Sequence, residues 1–130
     1  MNIFFFNEEH MTAYSKLLSI MQHRDCYHQS LAYLLTLDSV CREHLNDLFD
    51  IEEDLIKRNG LHCSWQTGTS KKTTRLAFNL WNGCHTDGET YNKDGYETEL
   101  PSRYYAVDEI FNCCSYAPYY WQAVRLRYQL

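Results

Sequence analysis

Apolar residues recur at intervals of three and four along the first half of the chain, and this spacing constrains the fold more than any other feature. It is the period of an α-helix with one buried face. Asn7 is a favourable N-cap, and Glu8 and Glu9 suit the positive end of a helix dipole. We therefore predict a helix over about residues 8–22, with an apolar stripe formed by Met11, Tyr14, Leu17, Leu18 and Met21.

Two more helices are predicted before residue 50. Asp25 can cap the second helix, and Asp38 or Ser39 can cap the third. The apolar stripes are Tyr27, Leu31, Leu34 and Leu35 in the second helix, and Val40, Cys41, Leu45, Leu48 and Phe49 in the third. Because the connections between these helices are short, we expect antiparallel neighbours.

The second half of the chain alternates polar and helical segments. Residues 50–69 indicate a mostly irregular connector, and residues 84–103 a long polar loop. Between them we predict a central helix over residues 71–82, ended by Gly83 in the left-handed conformation. A short helix near residues 105–111 and a last helix with Pro118 at its first position follow. The prediction is a mainly α fold in one domain, residues 1–130: a compact bundle of about five to six helices with one long polar loop.

The composition supports a self-sufficient core and excludes some functions. A chain of 130 residues that is 45% hydrophobic can bury a core without a metal or a disulfide. The formal net charge of −5 and the scattered basic residues argue against direct binding of nucleic acid. The first residues predict neither a signal peptide nor a membrane span. We therefore expect a cytoplasmic protein whose six cysteines are thiols.

One segment has the composition of an anion-binding site. A loop of small residues that enters a helix presents backbone N–H groups at the positive end of the helix dipole, where phosphate binds. The candidate ligand-binding residues are Trp65, Gln66, Thr67, Thr69, Ser70, Lys71, Lys72 and Arg75. The alternative is that Thr69 or Ser70 only caps the helix and that the lysines form its solvated first turn, because the spacing of a P-loop is absent.

The six histidines and six cysteines raise the question of metal binding and catalysis. Two vicinal pairs, His62-Cys63 and Cys84-His85, flank the central helix, but adjacent ligands seldom bind the same metal ion and no CxxC motif occurs. No cysteine has the local signature of a nucleophile. We predict no metal, no cofactor and no catalytic residue, and we place His10, His28 and His44 at the helix surface or the core edge.

Acidic and tyrosine-rich segments are the candidate partner-binding residues. An acidic patch comprises Glu52, Glu53 and Asp54, and the tyrosines include Tyr91, Tyr96 and Tyr104. Exposed tyrosines are typical anchors of protein interfaces, and an acidic surface favours a basic partner. The alternative is that the carboxylates only keep the protein soluble and that the tyrosines belong to the core.

Four segments carry a resemblance to a known family that covers nearly the whole chain: Phe6–His10, Trp65–Thr69, Arg75–Gly83 and Cys114–Tyr128. The chain resembles a functionally uncharacterised family of short proteins from Gram-positive gut bacteria, their phages and mobile elements. The resemblance assigns no activity. It implies a context in which small acidic proteins resemble inhibitors of antiviral defence, including anti-CRISPR proteins.

These observations lead to two main hypotheses. The first is a non-enzymatic protein of phage or mobile-element type that inhibits a bacterial defence component by protein contact. Its expected partner is a host protein with a basic surface, such as a nucleic-acid-binding nuclease. A second copy of the chain is a further candidate partner, and we expect no contact with a membrane. The second is a protein that sequesters a nucleotide in the loop before the central helix. An enzyme that uses Cys and His ranks last.

Overall fold

The structure, a computed structural model, describes residues 2–88, 101–112 and 114–130. Seven α-helices occur in these residues: α1 (Glu8–Ile20), α2 (Cys26–Leu37), α3 (Ser39–Glu43), α4 (Leu45–Leu48), α5 (Gly68–Asn82), α6 (Val107–Phe111) and α7 (Ala117–Tyr128). Two 3₁₀ helices (Arg58–His62 and Arg103–Tyr105) and two short strands, β1 (Phe49–Asp50) and β2 (Leu55–Ile56), complete them. The predicted mainly α, compact helical fold is confirmed.

The predicted caps of the first three helices are confirmed. The carboxamide of Asn7 accepts the N–H of His10 at 2.8 Å, and the carboxylate of Asp25 accepts the N–H of His28 at 3.0 Å. The carboxylate of Asp38 accepts the N–H of Val40 at 2.8 Å. Each bond satisfies a backbone donor that has no partner within its helix, and this fixes where the helix begins.

The predicted third helix is wrong in its length. It breaks at His44, whose backbone (φ −127°, ψ 35°) is not helical, and this separates α3 from α4. The ring of His44 stacks on Trp65, with centroids 4.3 Å apart, and Phe49 leaves the helix to pair with Ile56 in a two-stranded antiparallel sheet. These contacts with residues later in the chain override the local helical spacing. The break also explains why there are more helices than predicted.

Residues 50–69 are more regular than the predicted connector. Phe49 pairs with Ile56 and Asp50 with Leu55 in an antiparallel hairpin, and a 3₁₀ helix follows it. We call residues 49–56 the acidic hairpin, because its turn carries Glu52, Glu53 and Asp54.

Helix α2 lies at the centre of the bundle, packed against α1, α5 and α7. All of its residues from Ser30 to Leu37 are buried, so it lacks the polar face that an amphipathic stripe predicts. The buried hydroxyls bond within the helix: Thr36 Oγ1 donates to the Ala32 carbonyl at 2.6 Å, and Ser30 Oγ to the Tyr27 carbonyl at 3.1 Å. Satisfied in this way, they fit an apolar environment.

His10 joins the N-terminal segment to this core and is wholly buried, not at the helix surface or the core edge as predicted. Its Nδ1 accepts the N–H of Phe6 at 3.1 Å, and its Nε2 lies 2.8 Å from the Tyr33 carbonyl oxygen, which can only accept. These partners fix a neutral ring with its proton on Nε2. Burial lowers the pKa of His10 to about 4, against the opposing effect of the Tyr33 carbonyl.

Helix α5 begins earlier than predicted, at Gly68. Thr67 is its N-cap in a reciprocal capping box with Ser70, so neither Thr69 nor Ser70 is the cap. The predicted end is confirmed, because Gly83 has φ +79°. In α7, Pro118 is the second helical residue, one position later than predicted.

None of the described helices has the length and apolar character that a membrane crossing requires.

Candidate protein-binding surface

Hydrogen bonds to its backbone groups hold the turn of the acidic hairpin in place. A carboxylate oxygen of Asp50 accepts the N–H of Glu53 at 3.0 Å, which closes the turn. From the segment that follows α1, Gln22 Nε2 donates to the carbonyls of Ile51 at 3.2 Å and Glu52 at 2.5 Å. These bonds anchor the turn to the bundle on the side of α1.

A second anchor is the imidazole of His28, which is only 4% exposed. Its Nδ1 lies 2.7 Å from a carboxylate oxygen of Asp25, and its Nε2 lies 2.7 Å from one of Asp54. Burial acts to lower the pKa of His28, but the hydrogen bonds and charges of the two carboxylates outweigh it and raise that pKa. Burial acts to raise the pKa of Asp25, yet its bonds with His28 lower it. The arrangement favours an imidazolium between two carboxylates.

The carboxylates of Glu52 and Glu53 remain available to a partner. Both residues are exposed, and neither side chain makes a hydrogen bond or ion pair with the residues that the structure describes. Leu55, on the second strand, is 58% exposed. Asp54 differs from its two neighbours, because its carboxylate is committed to His28 and its backbone is left-handed at φ +58°. The acidic hairpin thus displays two negative charges near an exposed apolar side chain, on a fixed backbone.

The predicted tyrosines are not brought to this hairpin by any described contact. Tyr91 and Tyr96 lie outside the described residues. Tyr104 is 52% exposed on the second 3₁₀ helix, with the Arg75 guanidinium 4.7 Å from its ring centroid. Of the other aromatic residues in that part of the chain, Tyr120 is fully buried and Trp121 is 51% exposed. The aromatic residues of this segment are therefore divided between the core and the surface.

The predicted anion-binding residue Arg75 is bonded within the protein. Its Nε and Nη2 donate to the two carboxylate oxygens of Asp87 at 3.1 and 2.8 Å, and the Tyr105 hydroxyl donates to the same carboxylate at 2.8 Å. Burial acts to raise the pKa of Asp87, but the bonds from Arg75 and Tyr105 outweigh it and lower that pKa. An incoming phosphate would have to displace this carboxylate from Arg75.

Most of the remaining candidate ligand-binding side chains also have internal partners. Thr67 and Ser70 bond each other's backbone N–H, and Ser70 Oγ also lies 2.5 Å from Gln66 Oε1. Trp65 stacks on His44, and Lys72 Nζ donates to the Asn112 carbonyl at 2.7 Å. These contacts favour a helix-capping role for the segment. Nucleotide binding through Lys71 and its neighbours stays a prediction.

The cysteines and histidines do not converge in the described part of the chain. No group of three or more His, Cys, Asp or Glu side chains there could hold a metal ion. Burial raises the pKa of the Cys41 thiol to about 12, so it stays protonated at neutral pH. The thiols of Cys63 and Cys84 lie near backbone carbonyls, those of Asn59 and Thr86.

Sequence reasoning missed the contacts of His28 with Asp54 and of Arg75 with Asp87. The first pair is 26 residues apart and the second 12, and no local pattern marks either. One signal was available for the Asp25 contact of His28, because His28 is the third helical residue after the N-cap Asp25, where a capping side chain reaches it.

Comparison with protein-family models assigns the chain to a family. No curated protein and no solved structure matches the chain. A family model described as "Family of unknown function (DUF6075)" matches residues 1–130, which confirms the resemblance to an uncharacterised family, whereas an origin in Gram-positive bacteria and their mobile elements stays a prediction. The chain therefore belongs to the family of unknown function DUF6075.

Proposed function

We propose that this protein is a non-enzymatic binding protein of the cytoplasm that docks its acidic hairpin on a basic surface of another protein. The observation that carries this proposal is the pair of carboxylates of Glu52 and Glu53, exposed on a turn that His28 and Gln22 hold from two sides. A surface that is already ordered loses little conformational entropy on binding.

The chemistry of the hairpin indicates the class of partner. Opposite charges across an interface increase the association rate and specificity. A basic groove that binds nucleic acid offers such charges, and a small protein of net charge −5 that fills it blocks the nucleic acid by occupancy. This supports the proposal of an inhibitor of a bacterial antiviral nuclease, encoded by a phage or mobile element and similar in action to anti-CRISPR proteins.

Affinity capture followed by a functional assay tests the proposal. The tagged protein is incubated with lysate of a Gram-positive host at about 50 mM and about 500 mM salt, because screening at high salt weakens contacts between charged surfaces. A protein captured at low salt is identified, purified and assayed for nucleic-acid cleavage with and without this protein. We expect a basic partner whose activity falls.

A matched pair of variants shows whether the hairpin is responsible. Glu52→Lys/Glu53→Lys reverses two exposed hairpin charges, and Glu43→Lys/Asp108→Lys reverses two exposed charges on α3 and α6. Both variants change the net charge equally. We expect the hairpin variant to bind the partner at least about tenfold more weakly, and the control to stay within about threefold of the parent protein. Equal losses in both variants, or none in the hairpin variant, would refute the hairpin as the contact surface.

A further inference from the structure

We infer that His28 is a pH-sensitive clasp that regulates the acidic hairpin: as the imidazolium it holds Asp54, and loss of its proton releases that carboxylate and loosens the turn. The role of the clasp in partner binding rests on the proposed function, whereas the clasp itself does not.

The hydrogen-bond geometry requires a charged ring. Both ring nitrogens of His28 lie 2.7 Å from a carboxylate oxygen, and a carboxylate only accepts hydrogen bonds. An imidazolium donates from both nitrogens, but a neutral imidazole has one N–H. A neutral His28 therefore turns a lone pair towards one of the carboxylates, and that contact becomes repulsive.

Asp54 is the carboxylate that leaves. Asp25 has a second role as N-cap of α2, where the same oxygen accepts the backbone N–H of His28 at 3.0 Å, so its position is fixed in either state of the ring. Asp54 has its described side-chain bond to His28 alone, and its left-handed backbone is a conformation that non-glycine residues adopt at a cost. Without the imidazolium, the Asp54 carboxylate loses its described partner, and the turn is held by the Gln22 contacts, the Asp50 bond and the strand pairing alone.

The groups that face the ring place the transition above the pKa of a free histidine. The rings of Trp81, on α5, and His23, before α2, lie edge-on to the His28 ring at 4.7 and 5.4 Å. The charged groups in contact are the carboxylates of Asp25 and Asp54, which raise the pKa of His28 above that of a free histidine in spite of burial. The clasp is closed at pH values below this raised pKa, down to the range where carboxylates protonate, and opens as the pH rises through it.

The experiment uses the isolated protein and two readouts. The ring nitrogens of His28 are titrated by NMR from about pH 5.5 to 9.5, and the amide exchange of residues 49–56, corrected for intrinsic rates, is followed over the same range. Each unit by which the pKa exceeds about 6.5 corresponds to a tenfold stronger clasp in the protonated state. We expect hairpin protection to fall with the same midpoint as the His28 titration, by about tenfold for each unit of the measured pKa shift.

Three variants separate the clasp from a general effect of pH. In His28→Gln we expect fast amide exchange of the hairpin at every pH. In His23→Gln we expect the exchange of the hairpin to depend on pH as it does in the parent protein. Asp54→Asn is nearly isosteric with the parent residue and replaces His28→Gln if that variant does not fold. We expect Asp54→Asn to lower the pKa of His28 and to make the amide exchange of the hairpin independent of the His28 titration. A His28 pKa at or below about 6.5, or hairpin protection that does not follow the titration, would overturn the clasp.

Partner capture then distinguishes the clasp from the proposed function. If the clasp operates, the parent protein captures less partner at pH values above the midpoint of the His28 titration. The His28→Gln variant shows no such decrease with pH. If the clasp titrates as expected but the two charge-reversal variants bind equally, the proposed function fails and the clasp stands. If only the hairpin charge-reversal variant loses binding, but the amide protection of the hairpin does not follow the His28 titration, the clasp fails and the proposed function stands.

Discussion

Acidification is expected to destabilise this protein through one buried side chain, His10. The folded protein holds the ring neutral, because Nδ1 accepts the Phe6 N–H and a proton there would face another donor. The pKa of His10 is about 4 in the folded protein, whereas an unfolded chain has a histidine pKa of about 6.5. Between these values the unfolded state binds the proton and the folded state does not, so the free energy of unfolding falls as the pH falls.

The magnitude follows from the two pKa values. The stability that His10 contributes is fully present above about pH 6.5 and decreases by about 1.4 kcal/mol per pH unit below it. At pH of about 4.5 the loss is roughly 2.5 kcal/mol, which is a large part of the free energy of unfolding of a typical small domain.

Urea unfolding followed by circular dichroism, at half-unit steps between about pH 7.5 and 4.5, measures this loss. The reference is His10→Gln, in which no imidazole titrates and the amide can still donate to the Tyr33 carbonyl. We expect this variant to be less stable at neutral pH, because the Phe6 N–H loses its acceptor, but to lose about 2.5 kcal/mol less on acidification than the parent protein. Parallel pH curves for the two proteins would refute the assignment of a neutral His10.

Three further outcomes are expected. Gly60→Ala loses about 2–3 kcal/mol of unfolding free energy in urea titration, because a Cβ there would lie 2.7 Å from Leu48 Cδ2 and closer still to the Asp47 carbonyl; unchanged stability would contradict the packing. Thr67→Ala loses about 1 kcal/mol in thermal unfolding, since the cap of α5 is lost, and a neutral effect would remove its capping role. Cys41 reacts with iodoacetamide only after unfolding, as mass spectrometry would show; rapid labelling of the native protein contradicts its burial.

The features predicted well from the sequence depend on residues close together in the chain. The caps Asn7, Asp25 and Asp38 bond amides two or three residues later, and Gly83 ends α5 by its own backbone conformation. Helix periodicity is equally local. These signals predict the helical class and the start of each early helix without reference to the packing.

The features missed depend on distant contacts. Helix α2 shows an apolar stripe, yet the assembled bundle buries all of its residues from Ser30 to Leu37, and only the packing of its neighbours reveals this. The stack of His44 on Trp65 breaks a helix that periodicity extends, because the stack joins residues of different segments. The candidate surface follows the same rule: Glu52 and Glu53 were identified from their charge, but the His28 contact that holds their turn spans 26 residues.

The central claim is that the acidic hairpin is the surface by which this protein recognises its partner. Hydrogen exchange of the protein alone and in complex with the purified partner, at a pH below the measured His28 midpoint where the clasp is closed, tests it directly. The account expects slower exchange over residues 49–56 on binding and unchanged exchange over α6. A stable complex in which the hairpin exchanges as fast as in the protein alone would contradict it.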